Sequence, residues 1–347
     1  MIWFAWRQFR WQALVAFVLL LALGIAFLIT GPGVVHYYDT VIRTCQSHDD
    51  CNAVTGSFLS RDPFLQNLLT ESGLLAVLIG IFWGAPIVAR EFDTGTYRLA
   101  WTQSASRTRW LGAKLLVGAL ASVLTAGLFT LMATWWSSPI DRVRGTPFSL
   151  FDTRDIVPIG YALFAFVLGV AVGAVIRRTI PAMAITIAIF AAVRGCFNLL
   201  IRPHFESPLH VAQRFSLPFG NGSPGGGDAK AAGWTLSNRV VNTAGKVFPQ
   251  LSNGFNINTS ASGTVTITGL GRCPNRIPNA LRTGGNNGPN YAVRAALREC
   301  VNSFHLFRYT TYQPANRYWP FQWDELGCYV VLSALLAAFS IWWIRRR

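Results

Sequence analysis

The sequence from Ile156 to Ile201 reads IVPIGYALFAFVLGVAVGAVIRRTIPAMAITIAIFAAVRGCFNLLI. It holds two apolar runs, residues 156–176 and 180–201, separated by the polar tripeptide RRT at 177–179. A helix needs about 20 apolar residues to cross the hydrocarbon core of a bilayer, which is roughly 30 Å thick. Because a three-residue link joins helices that run antiparallel, this stretch predicts a transmembrane helical hairpin.

Four more apolar runs complete a predicted set of six transmembrane helices. They cover residues 12–30, 72–89, 111–136 and 326–344, the last within a C-terminal segment 323–347 that ends in a basic tail. Only 13% of the residues are charged, against about 25% in soluble domains. The runs are continuous rather than alternating, so they predict helices and not a barrel. We therefore expect an all-α integral membrane protein.

The distribution of basic residues predicts the orientation. If the N-terminus is cytoplasmic, the inner segments carry 12 Lys and Arg residues and the two short outer loops carry 5. Short cytoplasmic loops are enriched in Lys and Arg. This bias predicts a multi-pass protein of the cell membrane with both termini in the cytoplasm. In a soluble protein the formal net charge of +15 would suggest nucleic-acid binding. In a membrane protein the location of the charge matters more than its sum, and we predict no nucleic-acid partner.

The N-terminal segment carries aromatic and basic side chains together. Residues 1–12 read MIWFAWRQFRWQ, and both residue types favour the headgroup level of a membrane. Residues 1–11 are therefore a candidate interfacial helix lying on the inner leaflet. A plain start of helix 1 with anchoring tryptophans is the equally weighted alternative. The run 12–30 is longer than a signal-peptide core and has no A-x-A site after it, so we expect a retained helix.

Residues 202–322 form a long polar insertion between helices 5 and 6. The alternating, β-branched run Thr264–Thr268 predicts a strand, and the apolar spacing in Tyr291–Phe304 predicts a helix. These features predict a small α+β extracytoplasmic domain. It holds 12 basic and 3 acidic residues, but segments longer than about 60 residues cross the membrane largely regardless of charge. The excess charge would attract anionic lipid or an acidic cargo, or is simply unselected.

Four of the six cysteines fall in the predicted outer segments. Cys45 and Cys51 lie in the first outer loop, and Cys273 and Cys300 lie in the large insertion. Because disulfides form in oxidising compartments, we expect the pairs Cys45–Cys51 and Cys273–Cys300. Free thiols are the alternative.

The sequence lacks the common motifs of catalysis. It contains no P-loop, no H-E-x-x-H, no C-x-x-C and no G-x-S-x-G. The five histidines are scattered, so we predict no metal site and no enzymatic activity of this chain alone.

The most informative polar segment is the predicted cytoplasmic loop 90–110, REFDTGTYRLAWTQSASRTRW. It combines an acidic pair, a Gly-Thr turn and a short stretch with aromatic and basic side chains. Such a segment can form a short helix that docks in a groove of a soluble partner. The alternative is a solvated loop whose arginines only enforce topology.

This segment resembles the coupling-helix motif of ABC type-2 exporter permeases, and of actinobacterial members in particular. The motif is Glu-x-x-x-Gly-Thr after helix 2, present as Glu91, Gly95 and Thr96. The opening MIWFAWRQFRWQ and the closing YQPANRYWPFQW with the last helix are also similar to that family. The resemblance covers helices 1 to 6, whereas the insertion matches only in its placement.

The resemblance implies a membrane subunit powered by another chain. Such permeases dimerise, bind soluble ATPase subunits that hold ATP and Mg²⁺, and export hydrophobic or amphipathic substrates. The candidate coupling residues are Arg90, Glu91, Asp93, Gly95, Thr96 and Arg98. The 177–178 hairpin would be a second, smaller contact. The alternative function is a non-transporting membrane sensor or assembly protein with an exported cap.

Arg194 is a charge deep inside a predicted helix. Arg194 is 14 residues into helix 5, roughly 21 Å from its inner end at about 1.5 Å per residue. A charge at such depth points to a functional site with a partner, and Glu71 and Glu325 are the candidate carboxylates. Snorkelling of the guanidinium to the outer headgroups is the alternative.

Overall fold

In the part of the chain that the structure describes, six helices are long and apolar enough to cross a membrane, and they form the larger of two compact units. A computed structural model describes residues 2–42, 58, 67, 73–95, 106–144, 146–215, 233–252, 257–259, 265–267, 271–272 and 298–346. The number of spans confirms the prediction of six transmembrane helices.

The helices run well beyond the apolar cores that predicted them. Helix 1 spans Ile2–Tyr37 and continues as the π-helix Tyr38–Ile42. Helix 2 consists of the α-helix Gly73–Ile79, the π-helix Gly80–Gly84 and the α-helix Ala85–Asp93. Helix 3 spans Arg107–Arg144, helix 4 Val157–Ile176, helix 5 Thr179–Cys196 with the π-helix Phe197–Ile201, and helix 6 Tyr318–Arg346.

Helix 1 crosses the predicted boundary at residue 11 without interruption. Its 36 residues correspond to about 54 Å at 1.5 Å per residue, which exceeds the thickness of a bilayer core. Helix 3 has 38 residues and is longer still. Hydropathy detects only the part of a helix that would face hydrocarbon, so the polar ends were not included in the predicted spans. The interfacial placement of residues 1–11 stays a prediction.

Helix 4 is the centre of the unit. It contacts helices 2, 3, 5 and 6, and most of its residues are buried. Its sequence explains this position, because it is uncharged from Val157 to Ile176 and has small residues where neighbours approach. Helix 1, in contrast, contacts mainly helix 3 and exposes many large apolar side chains.

An apolar cluster lies at the end of the helical unit where residues close to the N-terminus and to the C-terminus come together. Phe9 of helix 1, Trp83 of helix 2, Trp110 of helix 3, Phe166 of helix 4 and Ile344 of helix 6 belong to this one cluster. Each is less than 10% exposed. Five helices are therefore packed together next to the point where helix 2 leads into the predicted coupling segment.

A second compact unit includes Glu206–Asn316. Its larger sheet has the antiparallel order β1-β6-β2, with Ala212 and Arg239 opposite Tyr309. These strands are β1 Leu209–Arg214, β2 Trp234–Asn242 and β6 Leu306–Gln313. The smaller sheet joins β3 Ile257–Thr259, β4 Val265–Ile267 and β5 Gly271–Arg272. A short helix spans Pro249–Ser252, and residues 298–303 are helical.

This unit confirms a small sheet region between helices 5 and 6, and β4 lies inside the predicted strand. Its boundaries differ from the predicted 202–322, because Arg202 and Tyr318–Gln322 belong to the helical unit. Its location outside the cell stays a prediction. Cys45, Cys51 and Cys273 lie outside the described residues, so both disulfide pairs also stay predictions. Cys196 and Cys328 are free thiols.

Candidate functional site

The end of helix 2 is joined to helix 3 by an ion pair that is nearly shielded from water. Lys114 Nζ lies 2.5 Å from Glu91 Oε1 and donates to the Ile87 carbonyl at 2.8 Å. The side chains of Lys114 and Glu91 are 2% and 12% exposed. The Lys114 ammonium also lies 4.7 Å from the centroid of the Trp110 ring. The ion pair thus holds the end of helix 2 against the start of helix 3, which are the two points joined by the segment between these helices.

The spacing of helix 3 explains why Lys114 faces inward. Helix 3 starts beside Ser106, whose hydroxyl accepts from the Arg109 amide at 3.4 Å, as is typical of a helix N-cap. Trp110, Leu111 and Lys114 are buried at the spacing of one helix face. A buried ammonium requires a charged or strongly polar partner, and Glu91 supplies it.

A second contact joins the end of helix 2 to the hairpin between helices 4 and 5. Asp93 Oδ2 accepts from the Thr179 hydroxyl at 3.3 Å and lies 3.5 Å from the Thr179 amide. The Arg177 guanidinium lies 5.1 Å from the centroid of the Phe92 ring. Arg177 ends helix 4 in the left-handed conformation, with φ of 59°. The hairpin predicted as a smaller contact therefore lies directly beside the end of helix 2.

The chain geometry also accounts for the glycine of the motif. Thr94 follows helix 2, and its amide and hydroxyl both donate to the Arg90 carbonyl at 2.9 Å. Gly95 comes next with φ of +74°. A left-handed residue directly after a helix is usually glycine, because it lacks the Cβ that makes this conformation strained. Gly95 therefore turns the chain out of helix 2.

The predicted coupling residues fall into three groups. Glu91 and Asp93 make the contacts above and Gly95 makes the turn after helix 2, whereas Arg90 is exposed. Thr96 and Arg98 lie outside the described residues. In the sequence, Lys114 contributes only to the count of basic residues that predicts the orientation. The signal that could have found it is a lysine within an apolar run, on the face that Trp110 and Leu111 bury.

A second group of charged residues lies where helices 4, 5 and 6 meet. We call Asp152, Tyr161, Arg194, Arg202 and Glu325 the arginine cluster. Arg194 Nη1 lies 3.4 Å from Glu325 Oε1, and its Nη2 lies 3.4 Å from Asp152 Oδ1. The guanidinium also lies 3.9 Å from the centroid of the Tyr161 ring. Of the two carboxylates suggested by the sequence, Glu325 contacts Arg194, and Glu71 lies outside the described residues.

Arg202 makes the closest contacts of the cluster, and no pattern in the sequence singles it out. Its Nε donates to Glu325 Oε2 at 2.7 Å, and its Nη2 lies 2.8 Å from Glu325 Oε1 and 2.5 Å from Asp152 Oδ1. The Tyr161 hydroxyl donates to Glu325 Oε1 at 2.5 Å. Arg202 was assigned to the polar insertion because it follows the last apolar residue of helix 5.

The cluster pairs its carboxylates with guanidinium groups, and this pairing offsets the cost of burying the charges. Glu325 is fully buried, and a buried carboxylate is tolerated only when it is paired and hydrogen-bonded. Burial would raise the pKa of Asp152, but the guanidinium groups of Arg202 and Arg194 hold that pKa below its usual range. The arrangement ties helix 5 to helices 4 and 6.

A protein-family model covers more than half of the chain. The model described as "ABC-2 membrane transporter related" matches residues 17–202. The chain belongs to this family.

Membership in the ABC-2 related family identifies a multi-pass membrane permease of an ABC transporter. A permease of this family is not itself catalytic and associates with ABC ATPase subunits. The matched region includes the end of helix 2, Lys114, Asp152, Arg194 and Arg202, whereas Glu325 lies beyond it. No curated protein and no solved structure matches the chain.

Proposed function

We propose that this permease is the membrane subunit of an ABC exporter that moves a hydrophobic or amphipathic substrate out of the cell. A separate subunit hydrolyses the ATP, with Mg²⁺ bound there. Family membership supports the transport role, and the contacts at the end of helix 2 support the way in which it is powered.

The Glu91–Lys114 pair carries this proposal. The segment between Asp93 and Arg107 links helices 2 and 3, and the pair fixes both of its ends at one point. Asp93 adds a link to Thr179 at the start of helix 5. A force on this segment therefore acts on three helices together. A solvated loop that only enforces topology would not need a buried ion pair at its base.

The exposed surface around this base fits an acidic partner surface. Arg90, Arg107, Arg109, Arg177 and Arg178 are exposed there. Their positive charge would steer an acidic groove of the ATPase subunit toward the segment. In this arrangement the coupling segment and the hairpin between helices 4 and 5 form one docking surface, with the segment as the main contact.

The remaining features of the proposal concern assembly and orientation. We place both termini and the docking surface in the cytoplasm, because the basic residues are concentrated on that side. The sheet-containing unit is then outside, with the pairs Cys45–Cys51 and Cys273–Cys300. A second copy of the chain completes the transporter as a homodimer.

Co-purification tests the proposal. The permease, expressed with the ATPase encoded beside it, should form a complex whose ATP hydrolysis exceeds that of the ATPase alone. Glu91→Gln should abolish most of this stimulation, since it removes the charge that pairs with Lys114. The control is Asp324→Asn, a helix 6 carboxylate that is exposed, and stimulation should be unchanged. A permease that purifies without an ATPase would favour the sensor or assembly function.

A further inference from the structure

Helix 2 changes its helical form just before it reaches the docking surface. Gly80–Gly84 is a π-helix, in which the Ala85 amide donates to the Gly80 carbonyl five residues earlier. Single π turns inside α-helices are rare and occur frequently at functional sites. The wider turn interrupts the regular hydrogen-bond ladder in the membrane-spanning part of helix 2.

Helix 4 meets this π turn backbone to backbone. A Cβ atom at Gly169 would lie 2.5 Å from the Gly80 carbonyl oxygen, and one at Gly80 would lie 2.9 Å from the Ala165 carbonyl oxygen. A Cβ at Gly84 would overlap the Phe166 carbonyl. Small residues allow this close approach, as is common between membrane helices. The two backbones are therefore in direct contact at these points.

Helix 1 contacts the same turn through a polar side chain. Gln12 Nε2 donates to the Phe82 carbonyl at 3.0 Å, across 70 positions of sequence. One turn earlier, the Phe9 ring lies 4.8 Å from the Trp83 ring in an edge-to-face arrangement. Gln12 stands directly before the long apolar run of helix 1. The Gln12 side chain is half-buried, and its bond joins helix 1 to helix 2 where the apolar run of helix 1 begins.

We propose that Gln12 is a positioning residue that fastens helix 1 to the π turn of helix 2. When the ATPase displaces the docking surface, the end of helix 2 moves, and the Gln12–Phe82 hydrogen bond passes that movement to helix 1. This inference rests on the proposed function, because the displacement originates at the ATPase. It adds a route by which helix 1, which otherwise contacts mainly helix 3, follows helix 2.

Spin-label distances test this route. Labels at Val35 on helix 1 and Leu199 on helix 5, both exposed, would be placed in a chain with Cys196→Ala and Cys328→Ala. Labelled copies are diluted with unlabelled ones and assembled with the ATPase. In the otherwise unchanged chain, ATP with Mg²⁺ should change the Val35–Leu199 distance. In Gln12→Met, which keeps the length but loses the donor, the change should fall by more than half.

Two further variants separate a transmitting role from a merely structural one. Gln12→Lys keeps a donor and should restore most of the distance change. Thr30→Val removes a different polar contact of helix 1, the 3.0 Å hydrogen bond from Trp136 Nε1 on helix 3. This variant should retain the Val35–Leu199 distance change. Stimulation of ATP hydrolysis should stay within about twofold in all three variants.

The outcomes distinguish the two proposals. If the permease does not stimulate its ATPase, the proposed function is wrong and this inference is lost with it. If stimulation is present while the otherwise unchanged chain shows no distance change, only the role of Gln12 is wrong. The same conclusion follows if stimulation is present while Gln12→Met shows the same change as that chain.

Discussion

Lys114 is the residue that joins helix 3 to the end of helix 2, beside the proposed docking surface. Its ammonium is almost completely withdrawn from water and has Glu91 and the Ile87 carbonyl as partners. Lys114→Met keeps the length of the side chain but leaves the Glu91 carboxylate poorly compensated. We expect a loss of about 3 kcal/mol, the lower end of what breaking a buried pair costs. Thermal unfolding in lipid nanodiscs would measure it.

A double replacement provides the control for this prediction. In Glu91→Leu with Lys114→Met both charges are removed, so folding stability should recover, since apolar pairs often replace buried ion pairs without loss. ATPase stimulation should not recover if the charged pair itself is needed for coupling. Equal stability in all three proteins would show that the pair contributes nothing to the fold.

Arg202 supports the arginine cluster in the same way at a fully buried site. Arg202→Met deprives the Glu325 carboxylate of the two hydrogen bonds from Arg202, 2.7 and 2.8 Å long, and leaves it the bond from the Tyr161 hydroxyl. We expect a destabilisation of about 3–5 kcal/mol, and we expect Glu325→Leu to restore most of it in the double variant. Arg194→Met should cost less, because its distance to Glu325 is 3.4 Å. If Arg194→Met lowered the unfolding temperature more than Arg202→Met does, this ranking would be wrong.

The cluster also has a predictable response to acid. Because the folded-state pKa of Asp152 lies below its ordinary 3.8, its ionised form contributes stability that is fully present above that ordinary value. This stability is lost as the pH falls through the lower folded value. As the pH is lowered past 3.8, the unfolding temperature should therefore decrease less in Asp152→Asn than in the unchanged chain. Identical pH profiles would contradict the assignment of Asp152 to a charged network.

At the scale of elements, the crossing of helices 2 and 4 depends on glycine. Gly169→Ala would place a Cβ against the Gly80 carbonyl and the Ala85 amide, so the two helices must separate. Gly195→Ala in helix 5 is a matched control, since nothing lies within 4 Å of its added Cβ. Alanine is the better helix former by about 1 kcal/mol. We expect a lower unfolding temperature for Gly169→Ala and an equal or higher one for Gly195→Ala.

The transmembrane helices were predictable from the sequence because hydropathy alone selects them. Each apolar run of about 20 residues has one stable form in a bilayer, and all six runs are helices. The helix ends were not predictable, because residues such as Tyr318 and Arg144 continue a helix without being apolar. The π turns were also missed, since no residue pattern in Gly80–Gly84 distinguishes them from an α-helix.

The site was predictable only where its residues are close together in sequence. Glu91 and Gly95 were found because they form a local motif. Lys114 lies 23 positions from Glu91, and Arg202 lies 123 positions from Glu325. Such pairs depend on how helices pack, which one sequence does not reveal. A charge inside an apolar run was the useful signal at Arg194, and the same signal applies to Lys114.

For the whole molecule, the orientation that we propose predicts that Thr94 is in the cytoplasm and that Tyr309 is outside the cell. A cysteine at Thr94 should not react with an impermeant maleimide applied to intact cells, whereas one at the exposed Tyr309 should react. Cys196 and Cys328 would be replaced by alanine in both. Labelling of Thr94 from outside would reverse the orientation and place the docking surface away from ATP.

Cross-linking at Thr94 shows whether the ATPase binds at the end of helix 2. A photoreactive residue at this position, in cells that express the permease and its ATPase together, should form a covalent adduct with the ATPase subunit. The same residue at Thr40, which follows the far end of helix 1, should form none. An ATPase adduct from Thr40 but not from Thr94, or no adduct from Thr94 in a complex that co-purifies, would contradict the claim that the end of helix 2 is where the ATPase binds.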